Sequence, residues 1–131
     1  MARPQSPVVG LCGDGSFPMS AGAFATIREL RLPLLLIQFN NACYGWIKML
    51  QKLQYQERYF GVDFCPDTDY VKIVQGFGLR ASRIERAADL GPAIEQALRS
   101  QEPTFLDVPT APEVEETPPV AAWERATARG E

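Results

Sequence analysis

Two short polar clusters, Gly13-Asp14-Gly15-Ser16 and Asn40-Asn41, each follow an apolar run and carry oxygen ligands. The Asp14 carboxylate and an amide oxygen from Asn41 can face one hard cation. An oxygen-only set with so few protein ligands suits Mg²⁺, which usually keeps waters and substrate phosphates in its shell. Gly13 and Gly15 let the backbone approach a phosphate, and Ser16 can donate a hydroxyl. A helix beginning near Tyr44 and Gly45 would present free N–H groups to an anion. Together these groups have the chemistry to hold a Mg²⁺-bound diphosphate. Taken singly, each cluster also reads as an ordinary turn. What joins them is their spacing, with the 24 residues Ser16 to Phe39 between GDG and NN.

For the two clusters to meet, the chain must form a βαβ unit. Residues 8 to 12 read as a buried strand running into the GDG loop, and Leu34 to Phe39 as a second buried strand. Between them a helix from Ser20 places Phe24, Ile27 and Leu30 on one face and ends at Pro33. Such units belong to parallel sheets covered on both faces, and ligands bind outside the carboxyl ends of their strands. Further on, Tyr44 to about Leu53 reads as a helix and Tyr55 to Pro66 as an ordered, functional loop. Asp69 should cap a helix carrying Tyr70, Ile73, Val74 and Phe77, closed by Gly78. Leu79 to Ile84 is a strand made less buried by Arg80 and Arg83. Asp89 then caps a helix with Leu90, Ile94, Ala97 and Leu98 on one face, and Thr104 to Val108 is the last strand. The expected fold class is α/β, an open, mainly parallel sheet of about four strands flanked by helices, with Rossmann-like layering over residues 1–112. Residues 113–131 are expected to be an extended tail ending in a short helix, Val120 to Arg129, in which Trp123 should dock on an apolar surface.

The whole chain has 131 residues, enough for one domain with a core of its own. With 46% hydrophobic and 22% charged residues, neither disorder nor a fibre fits. A net charge of -3 gives no general drive toward nucleic acid or an anionic membrane, so an anionic ligand needs a local device. No apolar run approaches the ~20 residues of a membrane span. The opening residues lack the pattern of a signal peptide, and a cytoplasmic location is the expectation. The absence of histidine excludes Ser/His/Asp and Cys/His catalysis and His-ligated zinc within this chain. Cys12, Cys43 and Cys65 have no CxxC spacing and read as reduced, mostly buried thiols.

GDG, a gap of this order and a closing NN resemble the signature of thiamine diphosphate-dependent enzymes. The stretches ARPQSPVV, GDGSFPMSAGAFAT, LPLLLIQFNNACYGW, RYFGVDF, DYVKIVQGFG and PTFLDVPT are similar to successive parts of the diphosphate-binding domain in the acetolactate synthase-like branch. The resemblance implies that Asp14, the Asn41 side chain and the backbone carbonyl of Cys43 bind Mg²⁺. It also implies that Gly13, Asp14, Gly15, Ser16, Asn41, Tyr44 and Gly45 form the thiamine diphosphate site, though Tyr44 reads equally well as core packing. Ala23 and Phe24 depart from the Glu-Leu the family often has there, which removes an acidic residue from the helix start.

By the same resemblance, the complete enzyme is a lyase or transferase that decarboxylates or ligates 2-oxo acids through a C2 carbanion. Tyr44, Trp46, Ile47 and the loop up to Phe64 would discriminate substrates. The catalytic glutamate of the family belongs to a pyrimidine-binding domain or subunit, which nothing in this chain matches, so no catalytic residue is expected here and the chain alone should be inactive. That partner and a homo-oligomeric assembly are the implied partners. The chain looks like the C-terminal piece of a longer polypeptide or the product of a shortened reading frame. The competing expectation is a catalytically silent fragment that folds and self-associates through an uncovered sheet edge.

Overall fold

The computed structural model describes residues 6–112 and 114. The elements run β1 (Val8–Gly13), α1 (Phe17–Ser20), α2 (Ala23–Glu29), β2 (Leu34–Asn40), α3 (Gly45–Gln54), α4 (Tyr70–Gly76), β3 (Arg80–Arg83), α5 (Ala87–Ser100) and β4 (Thr104–Pro109). By their internal contacts the described residues fall into two compact units. One holds 6–40 and 67–109, and the other holds 41–66, 110–112 and 114. The expected tail helix and Trp123 lie outside the described residues. Among the described residues, no helix is long and apolar enough to cross a membrane.

The first unit is the expected α/β sheet. Its four strands are all parallel, in the order β1-β2-β4-β3. The β2 run Leu34 to Phe39 is apolar at every position but Gln38, and β4 is similarly apolar around Asp107. Both are central, as parallel strands covered on two faces should be. Alternation along β4 splits the core into two layers. Phe105 points into an aromatic layer with Phe17, Phe24, Tyr70, Val74 and Leu79. Leu106 points the other way, to Leu35, Ile37 and Ala97, with Leu90 and Ile94 of α5 packed against them.

Several local expectations hold. The Asp69 carboxylate accepts the Lys72 amide at 2.9 Å and caps α4. Gly78, at φ +81°, supplies the left-handed residue that closes that helix. Others need correction. Asp89 is not the cap of α5: Arg86 holds that position, and Asp89 sits in the first turn, bonded through its carboxylate to the Arg86 guanidinium at 2.7 and 2.9 Å. The helix expected from Ser20 starts later, as α2 at Ala23, after a separate short helix, α1, that ends at Ser20, whose hydroxyl donates to the Ser16 and Phe17 carbonyls. It then stops before Pro33, since Arg31 adopts φ +47° and leaves Leu30 exposed. On α4, Tyr70 and Val74 are buried but Ile73 is exposed.

The largest departure concerns β1. Val8, Val9 and Leu11 are 57%, 47% and 66% exposed, although their apolar run reads as a buried strand. Among the described residues, β1 is an edge strand, paired only with β2.

The second unit is built on α3 and the loop that follows it. Tyr44 donates its amide to the Val62 carbonyl at 2.8 Å, and Phe64 donates to Ala42 at 2.8 Å, so Cys43 bridges antiparallel to Asp63. The Gln51 side chain grips both backbone groups of Phe60, at 2.9 and 3.2 Å. Lys48 on α3 pairs with Asp63 and lies over the Tyr59 ring. Residues 55–66 are therefore tied to α3 at several points, although only an isolated bridge gives them regular structure.

Candidate functional site

The GDG cluster sits where the chain leaves the carboxyl end of β1. Pairing of Gly13 with Phe39 holds that end against β2, and the Asp14 amide donates to the Phe39 carbonyl at 3.1 Å. The Asp14 side chain is only 3% exposed, and one of its oxygens accepts the Gly15 amide at 2.9 Å. Ser16 and Phe17 close two overlapping turns back onto the Gly13 and Asp14 carbonyls, at 3.0 and 3.2 Å. Phe17 then drives into the aromatic layer, where its ring meets Tyr70, Phe24 and Phe105 with centroids 4.9, 5.5 and 5.8 Å apart. The loop is thus pinned to the sheet on one side of Asp14 and to the core on the other. Ser16 remains exposed. Phe24, at the position where the sequence departs from Glu-Leu, is buried in the same layer. The N-cap of α2 is Gly22, which has no side chain to offer, and its first turn carries no acidic residue.

Asn41, Cys43, Tyr44 and Gly45 belong to the second unit. The Asn41 side-chain oxygen accepts the Cys43 amide at 3.1 Å, an Asx turn that fixes the amide plane. Between them Ala42 adopts φ +56°, a left-handed conformation that strains any residue with a Cβ. Tyr44 precedes the first turn of α3, which has no side-chain cap, and Gly45 is buried. Tyr44 is 41% exposed and its ring stands edge-on to Phe64, with centroids 4.5 Å apart, so it packs on Phe64 and lies outside the buried core. Trp46 and Ile47 are also more than half or about half exposed, at 57% and 50%.

The donor chemistry fits a Mg²⁺-diphosphate. It is oxygen-based, with one buried carboxylate, and among the described residues no group of three or more His, Cys, Asp or Glu side chains could hold a metal by itself. Mg²⁺ held by one or two protein side chains plus phosphates has no need of such a group. A shallow pocket lined by Pro7, Pro33, Leu35, Ala97 and Leu98 lies at the amino ends of β1 and β2, the wrong end of the sheet for this chemistry.

The sequence reading missed the residues behind the GDG rim. Asp107, 1% exposed, accepts from the Gln38 amide at 3.1 Å, from Asn40 at 3.1 and 3.3 Å, and from the Arg83 guanidinium at 2.9 Å. The available signal was a single polar residue within each apolar strand, Gln38 in β2 and Asp107 in β4. The Cys12 thiol, on β1, has its pKa pushed up by partial burial and by the nearby carboxylates of Asp14 and Asp107. In the second unit, the hydrogen bond from Lys48 to Asp63 holds the ammonium pKa above its ordinary value, against a smaller opposing effect of burial.

Residues 1–108 match the family model described as "Thiamine pyrophosphate enzyme, C-terminal TPP binding domain". A probable acetolactate synthase large subunit from Methanococcus aeolicus is 33% identical over 107 residues, covering 82% of this chain and 18% of that protein. A pyruvate oxidase from Lactiplantibacillus plantarum is 34% identical over 106 residues, covering 79% of this chain and 17% of its own length. Among solved structures, the thiamine diphosphate-dependent 4-hydroxybenzoylformate decarboxylase of Rhodococcus jostii RHA1 is similar with a TM-score of 0.80 at 30% identity, over 86% of this chain and 21% of that one. The chain therefore spans about a fifth of the length of these relatives.

Proposed function

This chain belongs to the thiamine pyrophosphate enzymes, as their C-terminal TPP binding domain, and on that premise we propose that it anchors the Mg²⁺-diphosphate end of thiamine diphosphate for an acetolactate synthase-like reaction on a 2-oxo acid. The observation that carries the reading is Asp14, a buried carboxylate at the carboxyl end of a parallel strand, where ligands of such sheets bind. In this reading Asp14, the Asn41 side chain and the Cys43 carbonyl are the protein ligands of Mg²⁺. Gly13, Gly15, Ser16, Tyr44 and Gly45 receive the diphosphate.

When bound, thiamine diphosphate supplies the nucleophilic carbon and the electron sink that decarboxylation and carboligation of a 2-oxo acid require. The residues of this chain do the placing. The turns at Ser16 and Phe17 hold the Asp14 carboxylate at the rim before the cation arrives, which lowers the ordering cost of binding. The Asx turn at Asn41 does the same for its amide oxygen. Exposed Tyr44, Trp46 and Ile47, with the loop up to Phe64, offer apolar walls to the organic part of a substrate. The glutamate that activates the aminopyrimidine would come from a pyrimidine-binding domain of the same enzyme or of a neighbouring subunit.

Titration calorimetry of the purified chain with thiamine diphosphate, with and without Mg²⁺, tests the reading. Binding should require Mg²⁺, and Asp14→Ala should lose it. An Asp14→Ala protein that binds as tightly as wild type refutes the assignment. A second reading, a catalytically silent fragment that self-associates, is favoured by the two-sided exposure of β1. Sedimentation velocity separates the two, since a monomer at high concentration excludes the second.

A further inference from the structure

The register places one polar residue from every strand in a single row across the sheet: Cys12 on β1, Gln38 on β2, Asp107 on β4 and Arg83 on β3. The row lies on the aromatic face, because the residues two positions earlier on each strand are Gly10, Leu36, Phe105 and Ala81. That earlier row has no polar side chain. The aromatic layer therefore gives way, near the carboxyl ends of the strands, to a polar row that is buried at Gln38 and Asp107.

Gln38 and Asp107 are 0% and 1% exposed, and such groups destabilise a fold unless their partners are complete. Those of Gln38 are not complete: it spends its amide nitrogen on Asp107, and its amide oxygen has no hydrogen-bond partner. Stability alone would favour another apolar residue in β2, whose other positions before Asn40 are all apolar. What the layer does hold is Asn40. The Asn40 amide nitrogen reaches both oxygens of Asp107, and Arg83 fixes the second of those oxygens from the far strand. Asn40 is the last residue of β2, and the carbonyl just before it, on Phe39, receives the Asp14 amide. A continuous set of contacts thus runs from Arg83 through Asp107 and Asn40 to the backbone of Asp14.

We propose that Asp107, oriented by Arg83, is a positioning residue for cofactor binding. It acts through Asn40 to fix the end of β2 against which the Asp14 backbone is docked. The cofactor part of this inference rests on the function proposed above.

Amide hydrogen exchange on the full chain tests the link without any cofactor. In Asp107→Ala and in Asn40→Ala, each of which removes the bond between Asn40 and the Asp107 carboxylate, exchange of the Asp14 amide should accelerate about tenfold or more, as expected when a hydrogen bond to a charged group is lost. The amide of Val74, buried in α4, should be unchanged. Should Asp107→Ala fail to fold, Asn40→Ala still decides the matter, because it cuts the same link from a half-buried side chain. Unaltered protection at Asp14 in a folded variant overturns the proposal. Calorimetry with thiamine diphosphate and Mg²⁺ then reads the consequence. Each variant should bind about tenfold more weakly, and the double variant no more weakly than either single one. Additive losses would mean that the residues act separately, and would overturn it. A wild type that binds no cofactor refutes the function proposed above, while the exchange result still upholds or overturns the link itself.

Discussion

Phe17 is the residue whose replacement tests most directly whether the aromatic layer holds the GDG loop in place. Its ring is 4% exposed and meets three other rings at 4.9 to 5.8 Å, two of them edge-on. Truncation to alanine removes the transfer free energy of a buried phenyl group and leaves a cavity, for a loss of about 3–5 kcal/mol. A domain of this size has only about 5–15 kcal/mol in total, so this variant is informative only if it still folds. Phe17→Leu is the sharper perturbation, because it keeps most of the apolar volume and removes the ring-ring geometry. With three pairs each contributing about 0.5–1.5 kcal/mol beyond burial, and leucine recovering part of the packing, the expected loss is about 1–3 kcal/mol.

The assay is urea unfolding, in which a slope of about 1–1.5 kcal/mol per molar moves the midpoint down by about 0.7–3 M. Ile94→Val, in the layer on the other face of the sheet, serves as a control with a loss of about 1 kcal/mol. If the Phe17 ring orders the loop, Phe17→Leu should weaken binding of thiamine diphosphate and Mg²⁺, whereas Ile94→Val should leave binding intact. A Phe17→Leu midpoint within the error of wild type, or equal binding losses in the two variants, would refute the reasoning.

Three further outcomes follow from local geometry. Ala42→Gly relieves the left-handed strain beside Asn41 and should raise stability by up to about 1 kcal/mol in thermal unfolding, where a loss would mean that the strain is absent. Hydrogen bonds to the Lys72 backbone, and then to its side chain, lower the Asp69 pKa. Its stabilising effect is therefore complete above the ordinary carboxylate value of 3.8 and fades as pH falls through the lower folded value. Asp69→Asn should accordingly flatten the acid limb of a stability-pH curve, and an unchanged limb would count against the cap. In alkylation at neutral pH, exposed Cys65 should react before Cys12, whose rate should rise only above the ordinary thiol range because its pKa is raised. Equal rates for the two thiols would contradict the partial burial of Cys12.

What the sequence made legible is what depends on near neighbours. Asp69 before an apolar repeat and Gly78 after it mark both ends of α4, because capping and a left-handed stop are properties of a few consecutive residues. The parallel sheet was readable from two strand-length apolar runs joined by a helical one, and Asp14 from the loop that ends the first. Asp89 went wrong because an acidic residue in a first helical turn and an acidic cap have nearly the same sequence pattern. The positive φ of Ala42 was hidden because alanine gives no sign of a conformation it disfavours. The Gln38–Asp107 contact joins positions 69 residues apart, and it exists only through the register of β2 with β4. β1 shows a different limit: hydropathy reports the surroundings a strand is suited to, whereas its exposure here reports the surroundings it has.

A parallel sheet has unlike ends, and the aromatic face of this one changes character along its strands to suit them. At the level of Leu36 and Phe105 the demand is close packing, and apolar side chains meet it at no electrostatic cost. One step further, at Gln38 and Asp107, the groups are still buried but polar, so they weaken the fold relative to an apolar pair while holding Asn40 in one orientation. At the rim the Asp14 carboxylate must keep its position with no rigid strand beyond it, which the layers beneath must provide. Substitutions in the first level should therefore cost stability before binding, and substitutions in the second should cost binding out of proportion to stability. A uniform relation between the two losses across both levels would mean that the polar row is only an imperfect piece of core.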